Sequence, residues 1–147
     1  MENFSIEGIS DFIKVTFEEV YGFPDKTCHW GGYELRTLLE IKSIGFYVKS
    51  ILWTSTGELF EFYEELRTCN QDLKGVARFE SYEGNLKFIA EYDNAGHVTI
   101  KGTFSEQNNF ANKLQFEFTT DQTFISSNLS ALGILTNKYG GMKGINK

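Results

Sequence analysis

The sequence is poor in the residues that usually carry catalytic or metal chemistry. It has two histidines, two cysteines and one proline, Pro24, among 147 residues. Two cysteines cannot build a disulfide framework, and no C-x-x-C pair occurs. Cys28 and Cys69 are therefore expected to be free thiols. Cys28, His29, Cys69 and His97 supply a Cys2His2 inventory, but structural zinc sites pair their ligands a few residues apart on turns. Only Cys28 and His29 are near neighbours, and adjacent residues in extended chain point to opposite faces. No metal or cofactor is expected. The G-x-S-x-G elbow and both glycine-rich phosphate signatures are missing. Gly140-Gly141-Met142-Lys143-Gly144 reads as a frayed end rather than a phosphate cradle. His97 follows Gly96 at a strand start, where turn capping or cross-strand hydrogen bonding is its expected role. An enzyme would need a cleft joining His97 or His29 to an acid and a nucleophile, and none is expected.

Positive charge is also scarce. Fourteen Lys and Arg face twenty Asp and Glu, a formal net charge of −6. Sequence-independent nucleic-acid binding needs clustered cations, so that class is excluded. The charge fits solubility by self-repulsion, or a basic partner. Long apolar runs are missing too. The longest, Gly45 to Trp53, is broken by Lys49 and Ser50, well short of the roughly 18 residues a membrane span needs. Met1 to Gly8 has neither the basic nor the apolar region of a signal peptide. A cytoplasmic protein without a membrane partner is expected.

Aromatic residues are plentiful, at 16% with fourteen Phe, which favours half-buried sheet. Strict alternation marks strands over Asp11–Val20 and Tyr33–Lys42. Phe46–Thr54 carries apolar residues on both faces, which predicts a central, doubly covered strand. Four more strands are predicted over Lys74–Tyr82, Asn85–Asp93, His97–Ser105 and Lys113–Asp121, with turns at Glu83-Gly84-Asn85 and Asp93-Asn94-Ala95-Gly96 and a polar loop from Glu106 to Asn112. Their polar faces should line one wet side of the sheet.

Two segments break the alternation. Ser55-Thr56-Gly57-Glu58 is a capping box, followed by Leu59, Phe62, Tyr63 and Leu66 at helical spacing, so a helix is expected over about 56–70. Leu129, Leu132, Leu135 and Tyr139 predict a second over about 127–139, capped by Ser126 or Asn128 and ended by Gly140-Gly141. The expected fold is α+β, one domain over 1–147, a mostly antiparallel sheet of about seven strands with both helices on one face. Residues 141–147 are expected to form a disordered tail.

On the first helix Glu58, Glu61 and Glu65 fall at i, i+3 and i+7 with Glu64 beside them. They are expected to point outward together, either as a solvated, well-capped face or as a patch that steers a cationic partner. Tyr63 is the candidate anchor beside them. Asp121-Gln122-Thr123, after the last strand, is expected to fix the chain reversal through local amides.

Four pieces occur in a telling order: Ser55-Thr56-Gly57-Glu58-Leu59, Leu73-Lys74-Gly75-Val76-Ala77, Gly96-His97-Val98, and the strand Leu114 to Asp121 running on into Gln122-Thr123. Over residues 28 to 135 the chain resembles the WapI-type immunity proteins of bacteria. The resemblance implies a cytoplasmic antidote, encoded beside a large secreted or surface toxin, that binds the toxin's C-terminal domain, a tRNA-cleaving nuclease in the founding case. It implies no catalytic residues. Two readings of function remain, a toxin-neutralising binding protein and a small-ligand-binding domain whose aromatic sheet encloses a pocket.

Overall fold

The computed structural model describes residues 1–106 and 109–140. The expected tail at 141–147 lies outside the described residues. Ten elements follow one another: β1 (Asn3–Glu7), β2 (Phe12–Tyr21), β3 (Glu34–Ser43), β4 (Phe46–Ser55), α1 (Thr56–Asp72), β5 (Gly75–Glu80), β6 (Leu86–Tyr92), β7 (His97–Glu106), β8 (Asn109–Asp121) and α2 (Gln122–Tyr139). The fold is α+β, as the alternation of periods implies. Its eight strands form two four-stranded antiparallel meanders, β1-β2-β3-β4 and β5-β6-β7-β8. The insertion of α1 after the fourth strand divides them. None of the helices among the described residues is long and apolar enough to cross a membrane.

Both meanders turn their apolar faces to one core. The first contributes Ile13, Val15, Leu35, Leu39, Ile41 and Leu52, all almost fully buried. The second contributes an aromatic row, Phe79 and Phe88 stacked at 5.3 Å, on which the ring of Phe62 from α1 stands edge-on. Such edge-to-face contacts add about 1 kcal/mol each to the burial of area. α2 lies along α1 and β1. The Thr120 hydroxyl donates to the Glu7 carbonyl at 2.6 Å, and the Glu7 amide donates to Asn128 Oδ1 at 3.2 Å. These two bonds tie β8, β1 and α2 together. On the far side of the second meander the expected wet face is present, with Arg78, Lys87, Glu91, Lys101, Gln115 and Glu117 exposed.

Three local readings are corrected. β4 is an edge strand, not a central one. Its first half is open to solvent, with Phe46 67% exposed, while its second half is covered by the core and by Tyr21 stacked on Trp53. Apolar residues on both faces thus reflect a strand that changes environment along its length. β1 has no counterpart in the expected list, because five residues carry too few alternations to register. α2 starts at Gln122, about two turns before the first periodic leucine, Leu129. Its cap is Asp121, whose Oδ1 accepts from the amides of Thr123 at 2.9 Å and Phe124 at 3.0 Å. The expected reversal at Asp121 is therefore a helix N-cap, and Ser126 and Asn128 lie inside the helix.

Replacing Asp121 by Ala orphans two amides, a loss of about 1–2 kcal/mol. The urea midpoint should fall with an unchanged slope. Ser126→Ala, at the start suggested by periodicity alone, should change stability by less than about 0.5 kcal/mol.

Candidate acidic cleft

The chain passes from β4 into α1 without an intervening residue. Ser55 is extended, and its hydroxyl accepts the Glu58 amide at 3.2 Å, the first half of the expected capping box. The second half is met as well, since the Ser55 backbone amide donates to the Glu58 carboxylate. The Glu58 carboxylate accepts the Thr54 hydroxyl at 2.7 Å, so it folds back toward β4.

The loop between β2 and β3 is fastened to the same corner. The Tyr33 amide donates to Thr56 Oγ1 at 2.8 Å, and the Thr56 amide returns a bond to the Tyr33 carbonyl at 2.9 Å. The Gly57 amide donates to the Gly31 carbonyl at 3.1 Å. A Cβ on residue 57 would stand 2.5 Å from that carbonyl oxygen, so only glycine permits the approach. Gly31 and Gly32, at φ of 93° and 67°, turn the chain in a left-handed conformation that other residues resist. This latch sets Trp30 beside the first turn of α1.

Trp30 is 44% exposed and lies flat on Tyr82, with centroids 5.0 Å apart and planes 1° from parallel. It forms one wall of a cleft of about 340 Å³ whose other walls are Glu58, Glu61, Glu65, Arg78 and Glu80. Four carboxylates thus face one guanidinium. Glu65 is held in place by the Arg78 amide, which donates to its Oε1 at 2.8 Å. Lys87 stands 3.8 Å from Glu80 on the sheet side.

The five residues singled out on α1 do not share one face. Glu58, Glu61 and Glu65 flank the cleft. Glu64 lies outside it, paired with Arg67. Tyr63 turns the other way and packs toward Gly133 on α2. Glu58 is half-buried, whereas Glu61 and Glu65 are exposed. Burial is the main cause that raises its pKa, and the charge of Glu61 adds to it. The bonds from Thr54 and Ser55 act in the opposite sense, and the value stands at about 7. Trp30, Tyr82, Arg78 and Glu80 were not candidates from the sequence. They come from two loops and β5, and only the doubled Gly31-Gly32 after Trp30 hinted at a constrained loop.

Other candidates have ordinary surroundings. His97 is exposed, and its Nδ1 lies 3.3 Å from Asp93 Oδ2 at the turn it was expected to brace. Burial pushes the thiols of Cys28 and Cys69 upward, which disfavours the thiolate. Among the described residues no group of three or more His, Cys, Asp or Glu is placed to hold a metal ion. A wider concavity of about 540 Å³ lies on the outer face of the second meander, around Ile89, Lys101 and Thr103. It is an open depression, and its lysines are answered by Glu80 and Glu91.

A carboxylate pKa near 7 in the fold against 4.5 for the free group has a definite sign in stability. The folded state holds the proton more tightly, so stability is highest in acid and falls as pH rises from about 4.5 through 7. The loss attributable to Glu58 is about 2 kcal/mol after allowance for solvent reaching the group. Urea unfolding from pH 5 to pH 8 should show this fall, and Glu58→Gln should flatten it and stabilise the protein at pH 8. Equal slopes for the two proteins would refute the assignment.

Comparison with protein families matches the immunity protein WapI-like family over residues 5–140. Neither the curated proteins nor the solved structures gave a match. The family match takes in most of β1, every element from β2 to α2 and the whole cleft. The chain belongs to the WapI-like immunity protein family.

Proposed function

We propose that this immunity protein neutralises a cognate bacterial toxin domain by stoichiometric binding, and that the acidic cleft at the head of α1 receives a cationic side chain of that toxin. The observation that carries the reading is the joining of Trp30 with Glu58, Glu61, Glu65 and Glu80 around one cleft. An aromatic face and carboxylates together suit a guanidinium or ammonium, through cation–π attraction and charge-assisted hydrogen bonds. A nuclease toxin has to present such cations to its RNA, so an acidic inhibitor gains association rate and covers the substrate surface at once. The protein acts in the cytoplasm in this reading and needs no turnover, cofactor, nucleic acid or membrane.

The reading keeps Glu58, Glu61 and Glu65 from the sequence-based set and transfers the anchor from Tyr63 to Trp30. Glu64 contributes to the field around the cleft without lining it.

Co-expression with the toxin domain encoded beside this chain tests the function directly. Growth should be restored and an equimolar complex should elute from a sizing column. Persistent toxicity with no complex would sink the reading. Within a formed complex, Trp30→Ala should weaken binding by about 30-fold or more. Glu61→Lys with Glu65→Lys should slow association and remove most of its salt dependence. Unchanged affinity and rates in both variants would move the interface away from the cleft.

A further inference from the structure

The opposite flank of α1 borders a second concavity. Phe60 and Tyr63 of α1 and Leu129, Gly133 and Ile134 of α2 line an open apolar groove of about 860 Å³. Its floor is low because residue 133 has no side chain, and a Cβ there would meet the Tyr63 hydroxyl at 3.1 Å. Its outer lip is Ile134, 71% exposed. Ser127, Ser130 and Asn137, also exposed, continue the same ridge at helical spacing. An apolar knob thus stands directly beside an apolar hole, on a face composed of small uncharged residues.

Charge decides what can cover it. From Gln122 to Tyr139 α2 has no acidic residue, and its one cation, Lys138, is engaged by Glu2 at 2.9 Å. The whole chain carries −6, so two copies repel wherever their acidic surfaces meet. The α2 ridge is a face on which they can meet without that cost. A basic toxin surface would find no carboxylate on this helix and has the acidic cleft instead. A knob beside a hole on one face is also self-complementary. A two-fold axis near the middle of α2 sets each Ile134 into the other copy's groove, against its Gly133 and Ser130.

We infer that the α2 face is the interface of a homodimer, two antiparallel α2 helices packed across a two-fold axis with Ile134 as the reciprocal anchor. Only the exclusion of the toxin from this face rests on the toxin reading; the oligomeric state concerns the chain alone. Sedimentation equilibrium of the full chain should give twice the 16.8 kDa monomer mass at about 100 µM, with dissociation on dilution. Ile134→Glu places a charge in the mate's groove and should weaken dimerisation by about 30-fold or more, whereas Ile134→Leu should retain it. Ile44→Glu is the control. Ile44 is 81% exposed at the β3–β4 turn, and its substitution should leave the dimer intact. A wild-type monomer at that concentration would overturn the inference. So would a dimer broken by Ile44→Glu and not by Ile134→Glu. Loss of toxin binding in Ile134→Glu with the wild-type protein monomeric would assign the groove to the toxin and also overturn it.

Discussion

The direct passage from β4 into α1 constrains the rest of this structure. Because no loop separates them, Ser55 has to end a strand and cap a helix at once. The helix axis is thereby fixed relative to the first meander, and the second meander begins from the other end of α1 with β5 packed on the helix. The same corner offers Thr56 and Gly57 to the β2–β3 loop. A loop of this kind would ordinarily be mobile, with few backbone groups paired. Here three hydrogen bonds from Tyr33 and Gly31 to the first turn of a helix hold it, and they set Trp30 beside that turn.

That fastening brings an exposed tryptophan and a half-buried glutamate to one corner. Each is unfavourable alone. Trp30 is stabilised by its stack on Tyr82. Glu58 is stabilised by the Ser55 amide-capping corner and the Thr54 hydroxyl, yet burial still outweighs both. The fold thus holds a carboxylate that it would rather protonate. Such tension is expected where a surface is shaped for a partner, since a cation arriving in the cleft restores the charge balance that burial removed. The order of the effects matters: capping positions Glu58, burial raises its pKa, and the neighbouring carboxylates make the cleft attractive to a cation.

Much of the fold was legible because alternation and helical spacing are local signals. Seven of the strands and both helices follow from them. Three features were not legible for physical reasons. Phe46–Ser55 mixes an exposed half with a buried half, which imitates the pattern of a central strand. The start of α2 is set by one carboxylate, Asp121, well before the apolar periodicity begins at Leu129. The division into two sheets depends on where α1 packs, which no window of sequence contains. The site was half legible. Glu58, Glu61 and Glu65 could be placed on one side of a helix, and Glu64 falls near enough to that side to be grouped with them. Tyr63, by contrast, belongs by spacing to the apolar stripe and packs toward α2. Trp30, Arg78 and Glu80 reach the cleft through tertiary contacts across some fifty residues of chain.

The central claim is that the corner formed by the Trp30 loop, the first turns of α1 and β5 is where the toxin domain sits. Backbone hydrogen exchange of this chain, free and in complex with its toxin domain, tests it most directly. New protection is expected over residues 28–33, 56–65 and 78–82, with the outer face of the second meander unchanged. Protection confined to that outer face, or to the Ile44 turn, with the Trp30 loop exchanging as in the free protein, would contradict it.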